Sequence, residues 1–108
     1  MIKFDKKVSY FLNKYLNTIK SIYKPDEVWL WGSRIYGKPD EYSDIDLVVI
    51  APEFDGKHPV SLVKALWQAT KVDSRIEPIA CGEQEWRTDG GRPIIEIARR
   101  EGIAITPG

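Results

Sequence analysis

A chain of 108 residues, 43% hydrophobic and 30% charged, has room for one core and the make-up of a globular domain. Sixteen Lys and Arg balance sixteen Asp and Glu, and zero net charge argues against a protein that coats nucleic acid by charge alone. No apolar run is long enough to cross a bilayer, the first residues do not read as a signal peptide, and the single Cys81 excludes an internal disulfide. The expectation is a single domain over 1–108, cytoplasmic, with no membrane contact and no direct nucleic-acid binding.

Charge is unevenly spread. Residues 1–25 hold Lys3, Lys6, Lys7, Lys14, Lys20 and Lys24 against Asp5, whereas residues 26–56 hold eight carboxylates against Arg34 and Lys38. Phe4, Val8, Phe11, Leu12, Tyr15, Leu16, Ile19, Ile22 and Tyr23 fall at three-and-four spacing, which predicts an amphipathic helix ended by Pro25. Val28 to Trp31 reads as a strand, with Trp29 and Trp31 on one face and their rings read as core rather than as ligand-stacking groups. Gly32-Ser33 turns the chain, Pro39 to Ser43 reads as loop, and Asp44 to Ala51 reads as a second strand, central because it is apolar on both sides after its start. His58 lies in a following loop and reads as surface. Pro59 opens a helical stripe to about Lys71, and Asp73 to Cys81 reads as a third strand, placed near an edge or bulge by Pro78. Gly82 to Trp86 suggests a short helix. Ile94 to Glu101 suggests a last one, closed by Gly102 in the left-handed conformation, and Ile103 to Ile105 a final short strand.

The chemistry concentrates where strands begin and end. Asp44 and Asp46 open the second strand and project from the same face. Like charges this close cost free energy unless a proton or cation sits between them. A right-handed crossover from the second strand to the third makes the two parallel, so Glu77 can join that face, with Asp73 as the alternative third carboxylate. Three such groups suit Mg²⁺ or Mn²⁺, and two ions can align an attacking and a leaving oxygen for in-line phosphoryl transfer. Gly32 permits close backbone approach, and Ser33 offers a hydroxyl and turn N–H groups to a phosphate. Taken singly, Asp-x-Asp and Gly-Ser are commonplace; their coincidence at strand ends carries the argument.

The stretch GSRIYGKPDEYSDIDL, with Gly32, Ser33, Arg34, Gly37, Ser43, Asp44, Asp46 and Leu47, resembles the motif of the minimal nucleotidyltransferases of the DNA polymerase β superfamily. RIEPIA, with Glu77, matches the strand that bears the family's third carboxylate, and RPIIEIARREGIAI is similar to the family's closing helix and strand. The resemblance implies an α/β (mixed α+β) minimal nucleotidyltransferase fold, with a three- to four-stranded mixed sheet and helices packed mainly on one face. It implies transfer of a nucleoside monophosphate, AMP from ATP, to a hydroxyl with two Mg²⁺ (or Mn²⁺) ions. Asp44, Asp46 and Glu77 would hold the metals, and Gly32 and Ser33 the triphosphate. Arg34 would either neutralise a phosphate or pair with Asp40 or Glu41. Relatives of this size also imply a second surface, either another copy or a helical HEPN-type partner (higher eukaryotes and prokaryotes nucleotide-binding). A tyrosine of that partner would be the acceptor. The alternative is an antitoxin module that masks the partner with little or no catalysis. Trp86 and the basic first helix are the candidate contact surface.

Overall fold

The computed structural model describes residues 6–21, 27–32, 43–55, 64, 66–88 and 92–105. Its elements are helix α1 (Lys6–Lys20), strands β1 (Glu27–Trp31), β2 (Ile45–Ile50) and β3 (Ile76–Cys81), helices α2 (Glu83–Arg87) and α3 (Pro93–Glu101), and strand β4 (Ile103–Ala104). Single 3₁₀ turns cover Pro52–Phe54 and Ala69–Val72. His58 and the start of the stripe expected from Pro59 lie outside the described residues; Lys64 and residues 66–68 are helical.

The sheet runs β3-β2-β1-β4. β2 pairs antiparallel with β1 and parallel with β3, and β4 adds antiparallel to the other side of β1. The mixed four-stranded sheet, the central position of β2 and the parallel neighbour β3 are as the sequence predicts. Period-2 alternation separates two faces. On the first, Leu12, Tyr15, Leu16 and Ile19 of α1 pack over Val28, Leu30, Ile45, Leu47, Val49 and Ile76, with Phe54 and Leu66 completing the cluster. The Tyr15 hydroxyl donates to the Leu66 carbonyl at 3.0 Å, so the one polar atom this large side chain brings inside is satisfied.

The last helix departs from expectation. The reading from sequence groups it with the first helix, but Ile95 and Ala98 pack on the second face with Val48, Ile50 and Cys81, against Trp29, Trp31 and Ile79. An apolar stripe shows which side of a helix is buried, not which side of a sheet buries it. Here the two β1 tryptophans supply the apolar area that demands the cover. Trp86 is a second correction: it is buried and meets Trp29 at 5.0 Å between ring centroids, so it belongs to the core rather than to a contact surface. Gly102 is a third. It is extended (φ −85°) rather than left-handed, and a side chain there would lie 2.5 Å from the Ala98 carbonyl and 2.7 Å from that of Leu30. Close backbone approach, not a helix-ending turn, requires glycine at this position.

The outer edge of β3 is blunted. The parallel ladder runs from Ile45 N–H on the Arg75 carbonyl to Ala51 N–H on the Cys81 carbonyl, so even-numbered residues of β3 point away from β2. At those positions Ile76 N–H bonds the Asp73 carbonyl, Pro78 has no donor, and the Ala80 carbonyl accepts from Arg92 at 2.7 Å. Arg92 is held in turn by Glu85 at 2.6 and 2.9 Å, whose carboxyl lies below its ordinary range because of that pairing. Pro78 and a charged clamp are devices that keep an edge from recruiting another strand.

The Asp55 carboxylate accepts from the Gln84 N–H at 2.9 Å, tying the first turn of α2 to the end of the β2 segment. Asp55→Ala should cost about 1 kcal/mol, a fall in Tm of roughly 4–8 °C for a domain of this size, and Asp55→Asn should recover most of it. Thermal denaturation of the three proteins measures this; an unchanged Tm in the alanine variant would show that α2 does not depend on the contact.

Candidate active site

The parallel and antiparallel registers set one row of side chains across the sheet. Trp31, the last residue of β1, is the Cα partner of Asp46, and Asp46 is the Cα partner of Glu77. Asp46 shares the second face with Val48 and Ile50, but stands beyond the helices that cover them, at the start of β2. It is half-buried, whereas Asp44 and Glu77 are exposed. The Asp46 carboxyl is pushed from the usual 3.8 up to about 6. Burial is the largest cause, followed by the negative charge of Glu77, that of Asp44, and a hydrogen bond with the Glu77 carboxyl.

Gly32 closes this end. Its φ of +85° is the only positive φ among the described residues, and a Cβ there would collide with Asp46 Oδ2. Any other residue would be strained and would push into the space beside the carboxylate. The glycine thus has two independent reasons, and both concern the site.

Of the sequence-predicted residues, the structure brings Gly32, Asp46 and Glu77 together, with Asp44 within electrostatic reach. Ser33 and Arg34 lie outside the described residues, as do Gly37, Asp40 and Glu41. Asp73, the alternative third carboxylate, is engaged elsewhere. It precedes β3 and accepts from the Arg75 N–H at 2.9 Å and from Arg75 Nε at 3.0 Å. Alternation extended back from Glu77 placed Asp73 on the strand, but the strand begins at Ile76 and the turn takes Asp73 off that face. Trp31 is the neighbour that the sequence reading left as plain core.

Two adjacent carboxylates, Asp46 with its raised proton affinity and Glu77 across from it, beside a cleared backbone, are oxygen donors of the kind hard divalent cations take. The fit is one of chemistry and proximity at Asp46 and Glu77. Among the described residues no group of three acidic, His or Cys side chains is closed tightly enough to hold an ion. Cys81 adds no ligand: it is buried, and burial pushes its thiol up to about 12.

The raised carboxyl has a thermodynamic consequence with a definite sign. Between about pH 4 and 6 the folded protein binds more protons at Asp46 than the unfolded chain, so stability falls as pH rises through that window. Asp46→Asn removes the dependence. In chelator-treated buffer near neutral pH the variant should melt up to about 5 °C above the parent, with the gap closing near pH 4. Melting curves at several pH values measure it, and a gap that did not change with pH would show that the carboxyls are not crowded.

The family model for the nucleotidyltransferase domain matches residues 12–96, spanning most of α1, strands β1 to β3, α2 and the start of α3. A crystal structure of a candidate nucleotidyltransferase from Sulfolobus solfataricus superposes with a TM-score of 0.59. It is 15% identical, with 96% of this chain and 89% of that chain covered, so its likeness is one of fold. No curated protein matches. The family match over most of the chain and the row at the start of β2 agree, and the chain belongs to the nucleotidyltransferase domain family.

Proposed function

We propose that the protein transfers a nucleoside monophosphate, AMP, from an NTP to a hydroxyl in the presence of Mg²⁺. The carrying observation is the juxtaposition of Asp46 and Glu77 across β2 and β3, beside a glycine whose missing side chain keeps the carboxylate clear. In this reading Asp44, Asp46 and Glu77 hold the divalent ions, and Gly32, Ser33 and Arg34 receive the triphosphate. When bound, the ions neutralise phosphate charge and stabilise the attacking and leaving oxygens. The acceptor oxygen forms its bond to the α-phosphorus as the bond to the β-phosphate oxygen breaks, and pyrophosphate leaves. Glu77, exposed on an edge strand, takes the acceptor's proton.

The acceptor in this proposal is a tyrosine of a helical HEPN-type partner, met in the cytoplasm where NTP is plentiful. Base selection requires complementary polar groups around the ring. The described part of the second face is instead filled by Trp29, Trp86, Ile95 and Ala98. Binding of NTP by the chain alone should therefore be weak and indifferent to the base. A masking module with little transfer is the second reading, supported by the lysine-rich residues 1–25, which offer a partner a charged surface.

Transfer of labelled AMP to co-purified partner protein separates the two readings. Asp44→Asn, Asp46→Asn and Glu77→Gln should each lower it by at least about a hundredfold, while Asp73→Asn should leave it near the parent value. A Glu77→Gln variant with full activity would remove Glu77 from the site. Gly32→Ala should lose activity as fully as the aspartate variants, through collision with Asp46. Absence of transfer by the parent protein over a range of acceptors would favour the masking reading.

A further inference from the structure

Among the described residues, one buried polar side-chain atom has no hydrogen-bond partner, and it is Trp31 Nε1. The comparable atoms elsewhere are satisfied: Tyr15 O–H donates to the Leu66 carbonyl at 3.0 Å, and Trp29 Nε1 to Glu27 Oε2 at 3.4 Å. A desolvated donor left without an acceptor destabilises the fold, and proteins seldom retain one away from a site of function. Phenylalanine would supply an apolar ring at this position without that cost. Trp31 itself stands in the row already described, its Cα paired with that of Asp46, and it precedes Gly32 in the chain.

We propose that Trp31 is a substrate-binding residue whose indole N–H donates a hydrogen bond to a phosphate oxygen of the nucleotide held at Asp46 and Glu77. The inference rests on the nucleotidyltransferase reading above and adds a ligand contact that the motif residues do not include. The chemistry selects the acceptor. An indole N–H only donates, so it needs an acceptor, and among the acceptors of a nucleotide the charged phosphate oxygens form the strongest bonds. It is also uncharged, so beside carboxylates that gather cations it holds an anionic oxygen without repelling those cations, as a lysine or arginine would. Trp31 packs against the second-face cluster as a partly buried member, whereas its N–H is shielded from water. Binding therefore turns the indole or displaces what covers it, and the N–H gains its first acceptor.

The indole ¹⁵N–¹H resonances of the full chain report this directly, with the Trp31 signal assigned through its own backbone and checked by its loss in Trp31→Phe. Mg²⁺ with a non-hydrolysable ATP analogue should shift the Trp31 signal downfield and slow its exchange with solvent. Mg²⁺ with inorganic tripolyphosphate should do the same, because the acceptor is a phosphate oxygen. Trp31→Phe should raise the Kd for the analogue about tenfold or more with its Tm near that of the parent. If the analogue moves the backbone amides of Gly32 and Asp46 while the Trp31 indole stays still, the contact is refuted and the nucleotidyltransferase reading stands. A response to the analogue but not to tripolyphosphate refutes the phosphate as acceptor. If neither probe perturbs any residue of the row, nucleotide does not bind at this end, and both readings fall.

Discussion

The register of β2 between its two neighbours is the constraint on which the rest of the molecule depends. Side chains on a strand alternate, so a slip of one residue would turn Asp46 toward Leu12, Tyr15 and Leu16 and expose Leu47. Burial on both faces forbids that slip: Ile45, Leu47 and Val49 fill one core cluster while Val48 and Ile50 fill the other. Burial of each such side chain contributes on the order of 1.5–3 kcal/mol, which far outweighs any preference of one carboxylate. The packing of the apolar half of β2 thus dictates where its polar start lies. Because β1 and β3 are registered against the same strand, Trp31 and Glu77 are brought to Asp46 by the same packing.

That arrangement carries an electrostatic cost which the fold tolerates rather than relieves. Asp46 is partly desolvated and faces two other carboxylates, and its raised proton affinity is the measure of the conflict. Elsewhere the molecule pairs its half-buried charges with care. Asp73 is matched by Arg75 and Glu85 by Arg92, and the Arg99 guanidinium donates to the Trp86 carbonyl. A chain that neutralises its acids at the edge of β3 but leaves Asp46 against Glu77 concentrates its unrelieved strain at one end of the sheet. Crowded acids of this kind are common at functional sites, and the proposed function gives this end of the sheet that role.

Much of this was legible in the sequence because it depends on local periodicity. Asp46 shares a face with Val48 and Ile50 by alternation alone, Pro78 marked an edge, and a crossover connection made β2 and β3 parallel. What was not legible depends on how separate periodic segments meet. Residues 93–101 advertise an apolar stripe, but nothing within them states that Trp29 and Trp31 are the surface to be covered. Trp86 sits in a five-residue helix, too short for periodicity to separate core from surface. Asp73 fits the alternation of β3 in sequence and leaves it in space, because the Asp73–Arg75 turn precedes the first ladder pair at Ile76. Trp31 looked like ordinary core because a sequence cannot reveal that an indole nitrogen lacks an acceptor.

The placement of the tryptophans also bears on where a base must lie. Trp29 and Trp86 are in mutual contact, and Ile95 and Ala98 close over the same region, so the described second face beyond the Asp46 row is occupied by the protein's own side chains. A nucleotide with its phosphates at Asp46 cannot lay its base along the sheet in that direction without unpacking that core cluster. On the proposed function the base therefore extends away from the groups that make this core cluster. On the proposed function, three registered strands fix where the phosphates lie, and recognition of base and acceptor falls to surfaces beyond the row. A division of this kind suits the proposed transfer, in which the row holds the reacting phosphates and specificity comes from whatever meets the domain at the start of β2.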